Sequence, residues 1–432
     1  MYTLLNIISS LIVRGAVSVI ALRVFSNSGI ALNDNKFFNS VLADRSIKSG
    51  FDTTKNELIA VFSLALLFRA LVFILSIFAI FIVNNKSFSI DELLKSYIQW
   101  DAHNYERIAL GGYSYHTENG KFTTLAFFPL YPYLMRFVNV FLHNLTASGI
   151  LLSCVFYSGA CAFMYKLLSL DYNKQTSIRA IVYMSVLPHS LFFGAVMNES
   201  LLLFMSMATL YYIRKHDWVK VGVFGALAAV SRMSGLLLAI PAAAEWLEEY
   251  KILQKLRSKQ IKEVFSLFLT KGIWIFLMLL GTGIYLLCNF RTSGEWFKFL
   301  EYQDEIWNQK VVYFGKSIAD MLYYAVNAKT SSALTIHIPQ LASVAFVISM
   351  ILYGLRTTRT MYTAFLVAYL IFNTSVSWPI SLPRYITCAV PAFIILSDFS
   401  ERHKWTEHII TPVMAIAMGI FFTAYFMSKQ IL

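Results

Sequence analysis

An aspartate follows a tryptophan in "QWDAHNYERIALGGY", residues 99–113. Asp101 has the chemistry of a general base, which takes a proton from an acceptor hydroxyl. The same residue also reads as a helix N-cap before "AHNYERIAL", with Glu106 in the following turn. The two roles are compatible. His103, two residues on, suits a phosphate or an acceptor group; the plainer reading is an interfacial histidine. Glu106 reads as support for that helix. Asn198 and Glu199, in "MNES", put a second carboxylate in a tight turn between apolar segments. It suits orienting an acceptor or pairing with an arginine, and capping by Asn198 or Ser200 is the alternative. Arg232 in "SRMSG" and Arg384 in "LPRY" are phosphate candidates, because a guanidinium meets phosphate oxygens as a bidentate fork. Otherwise Arg232 snorkels from the middle of a single span, and Arg384 anchors a lipid headgroup. Trp100 and Tyr385, beside Asp101 and Arg384, join these as substrate-binding candidates. Arg69 lies inside a strongly apolar segment and needs an internal partner.

The elements that must position these residues are membrane helices. The 432 residues are 57% hydrophobic and 14% charged, whereas soluble domains run near 25% charged. The deficit falls in apolar runs long enough to cross the roughly 30 Å hydrocarbon core. Lipid demands internally satisfied backbone, so only helices or a closed barrel qualify, and continuous runs favour helices. Spans are expected at 57–84, 146–168, 179–196, 198–213, 264–288, 336–355, 360–376, 383–398 and 408–427. Residues 1–56 read as an N-terminal extension, with an interfacial or weakly inserted helix over 1–23 and a loose connection over 24–56. Residues 57–432 form a single transmembrane domain.

The net charge is +12. The Lys and Arg cluster in short loops between spans, so the charge reads as topology, and no nucleic-acid partner is expected. The basic loops are 172–179, 213–220, 251–262, 355–359 and 401–404. Placing all five on the cytoplasmic side forces the chain to leave and return between 220 and 251. That length suits one crossing, so two half-helices meeting at Arg232 are expected; a plain single span is the alternative. Segment 122–145 carries Pro129 and Pro132 among aromatics and reads as a kinked juxtamembrane element at the outer face. The first outer loop is then 85–145 and the long one 289–335, whose "RTSGEWFKFLEYQDEIWNQ" suits an amphipathic surface helix. Asp101, "MNES" and "SWPISLPRY" share this outer side. The four cysteines lie in apolar segments without metal spacing, and there is no Walker A motif, GxGxxG or DxD pair. No disulfide, metal or cofactor is expected.

"QWDAHNYERIALGGY" followed by "AFFPLYPYLMR" resembles the PIG-V family of GPI mannosyltransferase 2 type and its bacterial relatives. "NESLLLFMSMATLYYIRK", "GALAAVSRMSGLLL" and "LPRYITCAVPAF" resemble further segments of that family. The resemblance spans roughly residues 57–398. The chain departs from the pattern at 103–104, where His103 stands one position early, and it reads Asn-Glu-Ser where the family has Ser-Glu-Ser. The resemblance implies a GT-C-type bundle: an all-α polytopic membrane protein with juxtamembrane helices in the first outer loop. It implies transfer of a sugar, mannose above all, from a polyprenyl-phosphate donor to a lipid-linked or glycan acceptor on the non-cytoplasmic side. Asp101 would be the base and the arginines would stabilise the departing phosphate by an inverting displacement.

Three alternatives stand beside this reading: a transporter or flippase, which also uses broken helices; a GT-C transferase with another sugar donor; and a non-catalytic subunit of a glycolipid assembly complex. The likeness to bacterial members points to a bacterial plasma membrane, with the endoplasmic reticulum membrane as the alternative.

Overall fold

The computed structural model describes residues 2–30, 50–84, 89–118, 120–429 and 431. Among them the regular elements are helices, and the extended pairings are isolated bridges at Glu118–Lys121 and Val311–Val376. Among the described residues six helices are long and apolar enough to cross a membrane: Tyr2–Asn27, Lys55–Phe81, Leu145–Leu168, Gly272–Ser293, Thr330–Thr357 and Lys404–Phe426. The chain is a polytopic helical membrane protein. Leu64, Leu67, Leu71 and Phe78 on one span stay exposed. In water such a patch would drive association; here it is the lipid face.

The helix expected over 1–23 is present and runs a little further. Tyr2–Asn27 is one continuous 26-residue helix. It packs on the helices Phe314–Asn327 and Thr360–Thr374. Arg23 is buried and donates to the Leu355 carbonyl at 3.0 Å, whereas Arg14 stays on the exposed face. Apolar periodicity and the Arg23 contact tie this helix into the bundle. Of the loose connection expected over 24–56, residues 31–49 lie outside the described residues.

The expected span at 179–196 is corrected. Its helix, Lys174–Ser185, has only 12 residues, about 18 Å. The chain then unwinds into a short 3-10 turn, Ser190–Phe193. Pro188 stops the helix, and Arg69 takes up the carbonyls left there. Its guanidinium donates to the carbonyls of Ser190 at 2.7 Å and Ser185 at 3.1 Å, and lies 4.2 Å from the centroid of the Tyr157 ring. The partner missing from the sequence is thus main chain rather than a carboxylate. Two other spans are interrupted. Helix Ile261–Thr270 breaks at Lys271 before the longer helix runs on to Ser293, and Leu382–Ile386 is separated from Val390–Arg402.

The break at 231–235 is present. Helix Trp218–Ser231 ends, Arg232 is extended (φ −164°, ψ 149°), a 3-10 turn covers Met233–Leu238, and Ala239–Glu249 follows. Trp218 Nε1 donates to the Tyr250 hydroxyl at 2.9 Å. A straight helix would hold those residues about 48 Å apart, so the two limbs form a hairpin with both outer ends on one side. Gly235 makes this possible: a Cβ there would stand 2.2 Å from the Ala228 backbone.

The basic loops converge at one end of the bundle. Arg179 pairs with Glu401 and Glu407, Arg214 and Arg359 both pair with Asp171, and Gln254 N donates to the Ser28 carbonyl. At the other end, Leu130–Leu142 forms a 13-residue helix with Phe137, Val140 and Phe141 exposed. It is too short to cross, as expected of a juxtamembrane element. Lys298–Trp307 covers this region through Lys121–Glu305, and Gln309 Nε2 donates to the Trp378 carbonyl at 2.9 Å.

Candidate active site

Four charged residues from four separate segments meet at the end away from the basic loops. Asp101 Oδ2 lies 2.5 Å from Arg384 Nη2. Arg384 Nε and Arg232 Nη1 each lie 3.1 Å from Glu199 Oε1. Glu199 therefore bridges two guanidiniums through one oxygen, and Arg384 bridges two carboxylates. The Arg384 side chain is 2% exposed, that of Glu199 1%, that of Arg232 17% and that of Asp101 24%. Asp101 is thus the most accessible member of the cluster, and Arg384 and Glu199 are its buried core.

Local backbone places each member. Trp100 has φ 48° and ψ −114°, a strained conformation for a non-glycine residue. That corner starts the helix Asp101–Gly111 with Asp101 as its first residue, and no side chain caps it. The N-cap reading of Asp101 is therefore overturned: its carboxylate is spent on Arg384, not on the helix amides. Glu106 instead accepts from the Thr146 hydroxyl at 2.9 Å, tying the helix to its neighbour. Asn198 likewise makes no capping bond; its Nδ2 donates to the Ser231 carbonyl at 2.8 Å. Glu199 begins the helix Glu199–Arg214, whose positive N-terminal dipole favours its charge. Arg232 reaches Glu199 because the broken helix turns its backbone extended there. Its guanidinium carbon lies 3.8 Å from the centroid of the Tyr385 ring, and that of Arg384 lies 5.1 Å away.

The structure therefore brings together Asp101, Asn198, Glu199, Arg232, Arg384 and Tyr385. Trp100 stands beside them in an aromatic wall with Tyr425 and Phe192, at 5.3 and 6.3 Å between centroids. His103 is not among them. It is exposed, and two helical residues rotate it about 200° from Asp101. Its proposed contact with phosphate has no support in this geometry. The residue that shares the face of Asp101 is Tyr105, four positions on. It is buried, edge-on to Phe127 and Tyr131. Burial pushes its phenol well above the ordinary range, and the nearby Asp101 and Glu199 carboxylates push it further. An i, i+4 reading from Asp101 would have found it.

The arginines have hydrogen-bonding capacity to spare. Each guanidinium carries five N–H groups. Among the described residues Arg232 uses Nη1 on Glu199, and Arg384 Nη1 reaches only the Met197 thioether, at 3.7 Å. Such forks suit a phosphate. Beside them opens an apolar cleft of about 450 Å³, whose lining includes Leu187, Ile338, Phe346, Pro383, Ile386 and Phe393. Pro383 and Ile386 flank Arg384 in the same short helix. The short helix that carries Arg384 thus belongs both to the charged cluster and to the wall of the apolar cleft.

No protein-family model matches the chain, and no curated protein matches it. Among solved structures the chain is similar to ArnT from Cupriavidus metallidurans, in a crystal structure bound to undecaprenyl phosphate. The identity is 13% and the TM-score 0.47, over 80% of this chain and 60% of that one. The chain spans about three fifths of that protein's length.

Proposed function

We propose that the chain is an integral membrane glycosyltransferase of GT-C type that moves a sugar from a polyprenyl-phosphate donor to a lipid-linked or glycan acceptor. One observation carries this reading: a partly accessible carboxylate, Asp101, paired with the buried Arg384, which Glu199 links to Arg232, while Pro383 and Ile386 on either side of Arg384 line an apolar cleft. The cleft suits the isoprenoid chain and the arginines suit its phosphate. The acceptor hydroxyl attacks the anomeric carbon, its proton passes to Asp101, and the bond from that carbon to the phosphate oxygen breaks. The polyprenyl phosphate leaves with its charge held by Arg232 and Arg384, the preorganised stabilisation that acyl- and phosphoryl-transfer sites use. Inversion follows from a single displacement. Donor phosphate competes with Asp101 for Arg384 Nη2, so donor binding releases the carboxylate to face the acceptor.

Mannose is the sugar that the PIG-V resemblance favours. The non-cytoplasmic placement of the site rests on the five basic loops gathering at the opposite end. A bacterial plasma membrane remains the preferred location. The test is transfer of label. Membranes containing the protein receive polyprenyl-phosphate mannose labelled in the sugar, together with lipid extract from the native host. The reading expects label in a new product whose anomeric configuration is inverted. Label that crosses the bilayer unchanged, with no new product, would favour transport instead.

A further inference from the structure

Two buried acceptors on consecutive residues at the site have no hydrogen-bond partner among the described residues: Asn198 Oδ1 and Glu199 Oε2. Asn198 is 3% exposed and Glu199 1%. Each is anchored to the helix break by its other atom. Asn198 Nδ2 donates to the Ser231 carbonyl at 2.8 Å, and Glu199 Oε1 takes Arg232 Nη1 at 3.1 Å. The orientation of the amide is fixed by this bond, since a flipped Asn198 would press its oxygen against the Ser231 carbonyl. Leaving buried acceptors orphaned costs stability, and such groups call for an explanation.

The chemistry of a fitting ligand is narrow. An anion finds no donor on Asn198 Oδ1 or Glu199 Oε2 and belongs instead on the guanidiniums beside them. A cation is disfavoured by the two guanidiniums within 3.1 Å of Glu199 Oε1. Neutral hydroxyl groups, which donate, fit. We infer that Asn198 Oδ1 and Glu199 Oε2 form a hydroxyl-reading subsite for the transferred sugar. This rests on the glycosyltransferase reading above. The sugar of the donor, rather than the acceptor, is the occupant because it is bonded directly to the phosphate that the arginines hold. The acceptor must instead approach Asp101, the exposed member of the cluster. The two residues thereby determine specificity for a hydroxylated donor.

The test uses the full chain in lipid nanodiscs. Bare polyprenyl phosphate, polyprenyl-phosphate mannose and a set of its monodeoxy analogues are compared by thermal shift and by transfer. Sites built to bond a hydroxyl reject analogues that lack it strongly. The expectation is that at least one monodeoxy donor loses about 100-fold or more in kcat/KM, and that Asn198→Ala narrows that ratio. The analogue series on the wild type decides the matter alone if the variant does not fold. Equal kcat/KM across all analogues, with equal shifts for sugar-bearing and bare lipid, would overturn the subsite and leave the transferase standing. No shift with either lipid would overturn the transferase reading and the subsite with it.

Discussion

The helix Glu199–Arg214 carries one ion cluster at each end, and the two have nearly the same parts. At its start, Glu199 joins Asp101, Arg232 and Arg384. At its finish, Arg214 joins Asp171, Glu245 and Arg359, with His216 at the edge. Each has two carboxylates and two arginines, some 22 Å apart along the helix. They differ in how completely the bonds are used. Asp171 spends both oxygens on both guanidiniums, with four hydrogen bonds of 2.8 to 3.2 Å. The other cluster leaves Glu199 Oε2 orphaned, shares single oxygens, and exposes Asp101 behind a strained Trp100. A saturated cluster holds a fold together. An unsaturated one is held in place by its surroundings and keeps capacity for something else.

Substitutions should separate the two ends. Apart from loss of Asp101 itself, the largest effect is expected from Arg384→Lys, which keeps the charge but loses the planar fork. Transfer should fall by about 10² to 10³, as when one transition-state donor is lost, measured as label transfer per folded molecule. Arg214→Met should do the reverse. Stripping a buried pair of one partner costs about 3–5 kcal/mol, read as a lower unfolding midpoint in detergent, while transfer per folded molecule stays within about twofold. A loss of turnover at full stability would erase the distinction. Tyr105→Phe removes a buried hydroxyl that feels the charge of Asp101, without disturbing ring packing. It should change stability by under about 1 kcal/mol and shift the pH profile of transfer more than it shifts melting.

The smallest effect concerns pH. Burial raises the Asp171 carboxyl, but the bonds from Arg214 and Arg359 outweigh it and hold it below the usual carboxylate range. Its folded pKa is therefore lower than its unfolded one. The stability it contributes is full above about pH 4 and drains away as pH falls through the folded value. The melting curves of wild type and Asp171→Asn should accordingly converge below about pH 4, and curves that stay parallel would remove the ion pair from the account.

Much of this contrast was legible in the residues. Loop charge demanded a return between 220 and 251, and the break at Arg232 met that demand. The hairpin, the juxtamembrane segment with Pro129 and Pro132, and the gathering of Asp101, Glu199, Arg232 and Arg384 follow from parity and from the cost of buried charge. Other features were hidden because their partners are main chain. Arg69 reads as a charge in need of an unnamed internal partner, and it binds the Ser185 and Ser190 carbonyls where the helix before the site ends. His103 failed for a phase reason: adjacency in sequence is not adjacency on a helix, and Tyr105 holds the face that His103 lacks. The N-terminal helix was legible over 1–23, but its seat in the bundle was not, because the buried Arg23 binds a main-chain carbonyl.

The most direct test sets Asp101→Asn against Asp171→Asn in one experiment. Both variants remove one negative charge from a two-arginine cluster. Both are measured for transfer from labelled polyprenyl-phosphate mannose and for unfolding midpoint. The account predicts that Asp101→Asn lowers transfer by roughly 10² to 10⁴ and leaves melting near that of the wild type. It predicts that Asp171→Asn lowers melting and leaves transfer per folded molecule intact. Equal transfer by Asp101→Asn and wild type would contradict the assignment of Asp101 as the base, and with it the claim that the open cluster is the catalytic one.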